Sequence, residues 1–197
     1  MKPADRSSPL RTLLRLFALA TLFSVASANV QSTHWYRMGE GYPPATVGSP
    51  LTTLRDSVGT ADLTSAALPA TASDLTQPTQ NTGVPSNRSL LAPAAGFSAT
   101  GPLLSTDTEE FGFEIWIRPS AITGTRFIAA NGTPGVDGWD LSLVEGRITA
   151  RCGATILTGP RVQLNVWLHV SLVRSAGVTT LYSDYAFASG AFPNVTS

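Results

Sequence analysis

From position 111 the chain alternates. In FGFEIWIRPS (111–120) the apolar residues Phe111, Phe113, Ile115 and Ile117 occupy one set of positions, and Gly112, Glu114, Trp116 and Arg118 occupy the other. A period of two predicts a strand with one face in a core. NVWLHVSLVR (165–174) repeats the arrangement: Val166, Leu168, Val170 and Leu172 form one face, and Trp167, His169, Ser171 and Val173 the other. Further strands are expected at 126–130, 139–144, 147–152 and 179–182, separated by the turn-rich Asn131-Gly132-Thr133-Pro134-Gly135, the tight turn Glu145-Gly146 and Ser175-Ala176-Gly177. Short strands at close spacing with Gly-containing turns predict an antiparallel sandwich or barrel. A strand with one wholly apolar face and one face of mixed polarity fits a two-sheet sandwich.

Upstream, residues 29–105 are loop-rich, with Pro43-Pro44, Gly48-Ser49-Pro50 and Gly83-Val84-Pro85 among Ala, Thr and Ser tracts. Short strands are expected there chiefly at 34–38 and 89–91. Composition alone reads as a flexible linker. The isolated anchors Trp35, Tyr36, Leu54, Leu63, Leu90 and Phe97 point instead to a segment pinned onto a core. No part of the chain after residue 28 carries a helical period, and 43% hydrophobic with only 13% charged residues agrees with an all-β chain.

Residues 1–28 read as a secretory signal. Lys2, Arg6, Arg11 and Arg15 precede an apolar run at 16–25, and Ala26-Ser27-Ala28 fits a small-x-small cleavage site. The apolar run is shorter than the roughly 20 residues of a membrane span. Removing this leader takes four of 13 basic and one of 13 acidic residues, leaving nine against twelve and a formal net charge of −3. With scattered arginines and no basic stripe, nucleic-acid binding is not expected. The export compartment permits disulfides, but Cys152 is the only cysteine, so it reads as a small buried strand residue.

The order of these motifs resembles a known family. FGFEIWIRPS, the Gly138-Trp139-Asp140-Leu141-Ser142-Leu143 strand, the Glu145-Gly146-Arg147-Ile148 hairpin, the Trp167-Leu168-His169-Val170 strand and Thr180-Leu181-Tyr182 together look like the laminin-G-like domain of the concanavalin A-like lectin/glucanase superfamily. They cover about half of the chain. HWYRMGE (34–40) and LRDSVG (54–59) also resemble the lead-in of exported bacterial proteins of this type, which implies a first sandwich strand near Trp35 and one domain over 29–197, with its main strands in 106–197. The fold implied is an antiparallel β-sandwich, a concanavalin A-like jelly roll. In the family the Leu-Tyr strand runs into an Asp-Gly turn and further strands; here Tyr185 follows Asp184, so the C-terminal strands are expected to be missing.

Enzymatic chemistry finds little support. A retaining glycosidase needs carboxyl groups about 5 Å apart, whereas Glu110 and Glu114 share a strand face roughly 13 Å apart at about 3.3 Å per residue. The Glu-x-Asp-x-x-Glu strand of the superfamily's hydrolases is absent. Gly96-Phe97-Ser98-Ala99-Thr100-Gly101 is one residue too long for a nucleophile elbow. His34 and His169 lie too far apart in sequence to suggest zinc, and the resemblance implies a structural His169. Glu114 reads as an outward partner for an arginine. Relatives often bind calcium through loop carboxylates, which makes Asp137, Asp140 and Asp184 candidate ligands, the competing reading being a turn at Asp137-Gly138 with Asp140 in solvent.

Lectin-like sandwiches use exposed aromatic residues to stack on sugar rings. The candidates here are Trp139, Tyr182 and Tyr185, while Trp116 and Trp167 read as packing residues. Three Asn-x-Ser/Thr sequons, at Asn87, Asn131 and Asn194, would mark surface loops in a secreted eukaryotic chain. The expectation is a secreted or cell-surface, non-enzymatic recognition or adhesion module, binding a glycan or extracellular protein with calcium optional. The alternative is part of a carbohydrate-active enzyme whose catalytic residues lie outside this chain.

Overall fold

The computed structural model describes residues 31–38, 40, 45–65, 70–72, 88–91, 96–101, 103–104, 110–152, 154–184 and 186–191. The predicted leader, Tyr185 and the sequons at Asn87 and Asn194 lie outside them. Every regular element among the described residues is a strand. Two four-stranded antiparallel sheets form the body. One has the order β12-β11-β10-β5, from Phe111–Ile117 (β5), Leu168–Ser175 (β10), Val178–Ser183 (β11) and Ala186–Ala191 (β12). The other has the order β6-β7-β8-β9, from Thr125–Asn131 (β6), Trp139–Val144 (β7), Arg147–Cys152 (β8) and Thr155–Arg161 (β9).

The apolar alternation decides how these sheets meet. Trp139, Leu141 and Leu143 from β7, Ile148, Ala150 and Cys152 from β8, and Leu157 from β9 share one buried cluster with Leu168, Val170 and Leu172 from β10 and Leu181 from β11. Phe111 stacks on Trp139 with ring centroids 5.6 Å apart, and Phe113 lies tilted to it at 5.5 Å. The bulky apolar faces therefore pack across the sandwich, as expected when each sheet has only one side it must remove from water. The Cys152 thiol is buried here, and that burial raises its pKa against the lowering effects of Arg174 and Arg151. It is an inert core residue.

The turns follow from local chemistry. Glu145-Gly146 and Ala176-Gly177 join β7 to β8 and β10 to β11, and all four residues have positive φ. Two-residue loops of that kind match the twist of the strands they connect. At residues 131–138 the chain is held by the Asp137 carboxylate, which accepts from the Thr133 N–H. Gly138 has φ +59 and lies so close to the Asn131 carbonyl that any Cβ would collide with it.

Two strands depart from expectation. β9, TILTGPR, was not foreseen because Gly159 and Pro160 interrupt its pattern. They sit where the β8–β9 register shifts, so a bulge at an edge strand absorbs the missing proline N–H. β12 also follows β11, paired from Ser183↔Ala186 to Val178↔Ala191, although the Asp-Gly turn is lacking. The sequence did not mark β12, because its small residues carry no alternation. β9 lies alongside β11 and β12, which brings the two sheets together on that side.

The upstream part holds two small hairpin-like sheets, Thr53–Leu54 (β1) with Leu63–Thr64 (β2), and Ala70–Ala72 (β3) with Ser89–Leu91 (β4). The strand expected at 34–38 is reduced to one bridge, Tyr36↔Asp56, and joins neither large sheet. Hydrogen bonding to a single carboxylate organises this segment instead. Asp56 accepts from His34 Nδ1 at 2.6 Å and from the N–H groups of Trp35 (3.0 Å), Val58 (3.1 Å), Gly59 (2.9 Å) and Ala61 (3.3 Å). Burial alone would raise the Asp56 pKa, but the His34 and backbone donors outweigh it and hold the carboxyl well below the ordinary range.

Two outcomes follow. Because the folded Asp56 pKa is depressed, its contribution is complete above the unfolded value of about 3.9 and is lost as pH falls below it. Amide protection of Trp35, Val58 and Gly59 by hydrogen exchange should therefore decline with acid in that range, and in Asp56→Asn it should already be low at neutral pH. Gly138→Ala should lower unfolding stability by about 2 kcal/mol or more in urea titration, since it combines a positive φ with a backbone clash.

Candidate functional site

The pairing that builds one half of the core also builds a face pointing away from it. β5 and β10 are antiparallel with Trp116↔His169 and Glu114↔Ser171, and β10 pairs with β11 through Ser171↔Tyr182. Because the inward residues are Ile115, Ile117, Val170 and Leu172, their neighbours must face outward. The result is a grid with Trp116 and His169 in one row and Glu114, Ser171 and Tyr182 in the next. Asp184 closes the first row just past β11, its carboxylate accepting from the His169 backbone N–H at 2.9 Å.

This face combines aromatic surface with polar groups. Trp116 is 40% exposed and Tyr182 is 45% exposed. They stand at opposite corners, roughly 12 Å apart from strand spacing and rise. The His169 ring lies against the Trp116 indole at 5.0 Å between centroids, tilted by 33°. Its Nε2 is 3.7 Å from the Glu114 carboxylate, a contact that becomes an ion pair when the imidazole is protonated. Glu114 is 72% exposed, and Ser171, between Glu114 and Tyr182 in the register, is buried. An indole braced on one side and a phenol across a polar floor can present two flat apolar surfaces to a ligand while carboxylate, imidazole and hydroxyl groups meet its polar edge.

Several sequence-based assignments change. Trp139 cannot stack on a ligand, because it is 5% exposed and wedged between Phe111 and Phe113 in the core. Trp116, read from sequence as packing, is instead an exposed member of the face. Trp167, read from sequence as packing, is half-buried. Glu114 has His169, not an arginine, as its nearest ionic neighbour. Tyr182 lies where a ligand can reach it, and Tyr185 is outside the described residues. The signal that could have found Trp116 was the assignment of faces: if Ile115 and Ile117 are inward, residue 116 must be outward.

The three carboxylates considered for calcium are each engaged separately. Asp140 is buried rather than in solvent, and its Oδ2 accepts from Arg151 Nε at 2.9 Å and from the Gly135 N–H at 3.0 Å. Arg151 Nη2 also lies 2.9 Å from that oxygen. Asp137 is committed to Thr133, and Asp184 lies on the other sheet against His169. Among the described residues no three His, Cys, Asp or Glu side chains converge in a way that could hold a metal ion. These three carboxylates are therefore not gathered around one point.

Asn131 behaves differently from a surface sequon. It is 5% exposed, its amide donates to the Leu104 carbonyl at 2.5 Å, and its Oδ1 accepts from the Leu104 N–H at 3.2 Å. It is thus a tie between the upstream chain and the end of β6, and folding closes it to glycosylation. No helix among the described residues is long and apolar enough to cross a membrane.

No protein-family model matches the chain, and no curated protein matches it. Among solved structures it is similar to the mouse laminin alpha1 chain, domains LG4-5, with 13% identity over 74% of this chain and a TM-score of 0.34. The alignment covers 53% of that structure, so the chain spans about half its length.

Asp140→Ala should cost about 3 kcal/mol in urea titration, because it leaves the Arg151 guanidinium without its partner and the Gly135 N–H without an acceptor.

Proposed function

We propose that the chain is an exported, non-enzymatic recognition module of laminin-G-like type, and that it binds a glycan on the outer face of the β5–β10–β11 sheet. The observation that carries this reading is the pairing of Trp116 and Tyr182 at opposite corners of a polar floor made by Glu114, Ser171 and His169. Aromatic residues left in water on a regular sheet face are available to stack on the apolar side of sugar rings, and the groups between them can meet hydroxyls. Their separation exceeds the width of one ring, which favours an oligosaccharide crossing β10 diagonally. Calcium stays optional in this reading: Asp137 and Asp140 lie at the other sheet, and Asp184 accepts from the His169 N–H at the edge of this face.

The absence of helical membrane spans among the described residues and the predicted leader are compatible with work at or outside the cell surface. A protein partner is the second reading; it draws on the same face, and its acidic Glu114 would then meet a basic partner surface.

Glycan-array binding by the intact chain tests the proposal. Trp116→Ala and Tyr182→Ala should each weaken binding about five- to ten-fold, as the loss of a stacking aromatic implies. Phe127→Ala, an exposed aromatic on the other sheet, should leave binding unchanged, as should EDTA. Equal binding by wild type and Trp116→Ala would remove the glycan reading of this face.

A further inference from the structure

The charges around the aromatic corners carry the reading one step further. Along β5 the outward positions run Glu110, Gly112, Glu114, Trp116 and Arg118, so the indole sits next to a carboxylate on the same strand face. Glu110 lies at the far end, with Ser175 Oγ on its Oε1 at 3.4 Å. Asp184 supplies a further carboxylate past the end of β11. Against these stand His169 and Arg118, and Arg118 Nε is engaged with the Asn165 carbonyl at 2.9 Å, at the end of the strand. Glu114 is the most solvent-exposed member of the grid's ionic contact and points into the region a ligand would occupy.

A carboxylate beside an exposed indole attracts positive charge twice over, through its own charge and through the negative face of the ring. A sulfate or uronate group brought to the same place meets Glu114, which His169 balances only when its imidazole is protonated, and like charges brought together reduce affinity. Gly112, with open space above its Cα, leaves a gap between Glu110 and Glu114 into which a substituent can drop.

Resting on the glycan reading above, we propose that this face selects oligosaccharides bearing free amino groups over uncharged ones, and rejects sulfated and uronate-rich chains, with Glu114 as the residue that sets the preference. An amino group on a ring stacked over Trp116 then lies within reach of Glu114, while the second ring system crosses Ser171 toward Tyr182.

The test compares chain-length-matched chitosan oligosaccharides, their fully N-acetylated counterparts and heparin oligosaccharides, titrated against the intact chain at neutral pH and moderate ionic strength. The amino form should bind more tightly than the acetylated form by about two- to five-fold, the range expected for one exposed charge pair. Heparin oligosaccharides should bind more weakly than either. Glu114→Gln should abolish the difference between the first two, read as the ratio of the two affinities, and an exposed side chain can be neutralised without disturbing the fold. Circular dichroism and thermal unfolding of the variant check that last point. If binding depends on Trp116 but heparin is preferred, or Glu114→Gln leaves the order unchanged, the charge proposal is overturned and the glycan reading stands. If no probe binds, or binding ignores Trp116→Ala, both are overturned.

Discussion

The register between β5 and β10 is the constraint from which most of this molecule follows. With Leu168 opposite Ile117 and Arg174 opposite Phe111, the two strands turn their apolar residues the same way, and that set meets β7 and β8 across the sandwich. A slip of one residue would send Ile115 and Ile117 to water and bring Glu114 and Trp116 against Leu141 and Ile148. Hydrophobic burial therefore selects one pairing, and that pairing brings Trp116 beside His169 on the outside. The candidate site is in this sense the reverse side of the core.

The second sheet shows how the same logic treats polar groups. On β7 and β8 the inward residues are apolar, yet the outward Asp140 and Ser142 are nearly as inaccessible. The loop at 131–138 accounts for part of this: its Gly135 N–H donates to Asp140, and Gly135 lies close to Phe127 and Arg151. A buried carboxylate so supplied with donors is a structural element and not a vacant cation site. The two sheets thus use their outer faces differently. One is roofed at the loop end around an ion pair, while the other leaves two aromatic residues and a carboxylate in water.

The upstream segment solves a different problem. Its described residues form no long strand, and their small sheets pair only two or three residues each. In place of a ladder it gathers backbone donors onto Asp56, so a single ionised side chain satisfies N–H groups that a loop would otherwise leave to solvent. Asn131 does the same where the chain at Leu104 reaches the sandwich, bonding both the N–H and the carbonyl of one residue. Side-chain amides and carboxylates replace regular structure where the sequence is too rich in small residues to form it.

Period-two alternation was enough to locate β5, β7, β8, β10 and β11 and to assign their inward faces, because burying one side of a strand imposes that spacing on the sequence. The turns at Glu145-Gly146 and Ala176-Gly177 were equally visible, since each carries a glycine, which takes positive φ without a Cβ clash. β9 and β12 were not, as Pro160 breaks one pattern and the small residues of AFASGA provide none. Nor could alternation tell that Trp139 would be enclosed by Phe111 and Phe113 while Trp116 stayed in water, because both are tryptophans in strands of similar pattern. Local chemistry determined which residues share a face; only packing between sheets, with the loops that roof them, decided which faces water can reach.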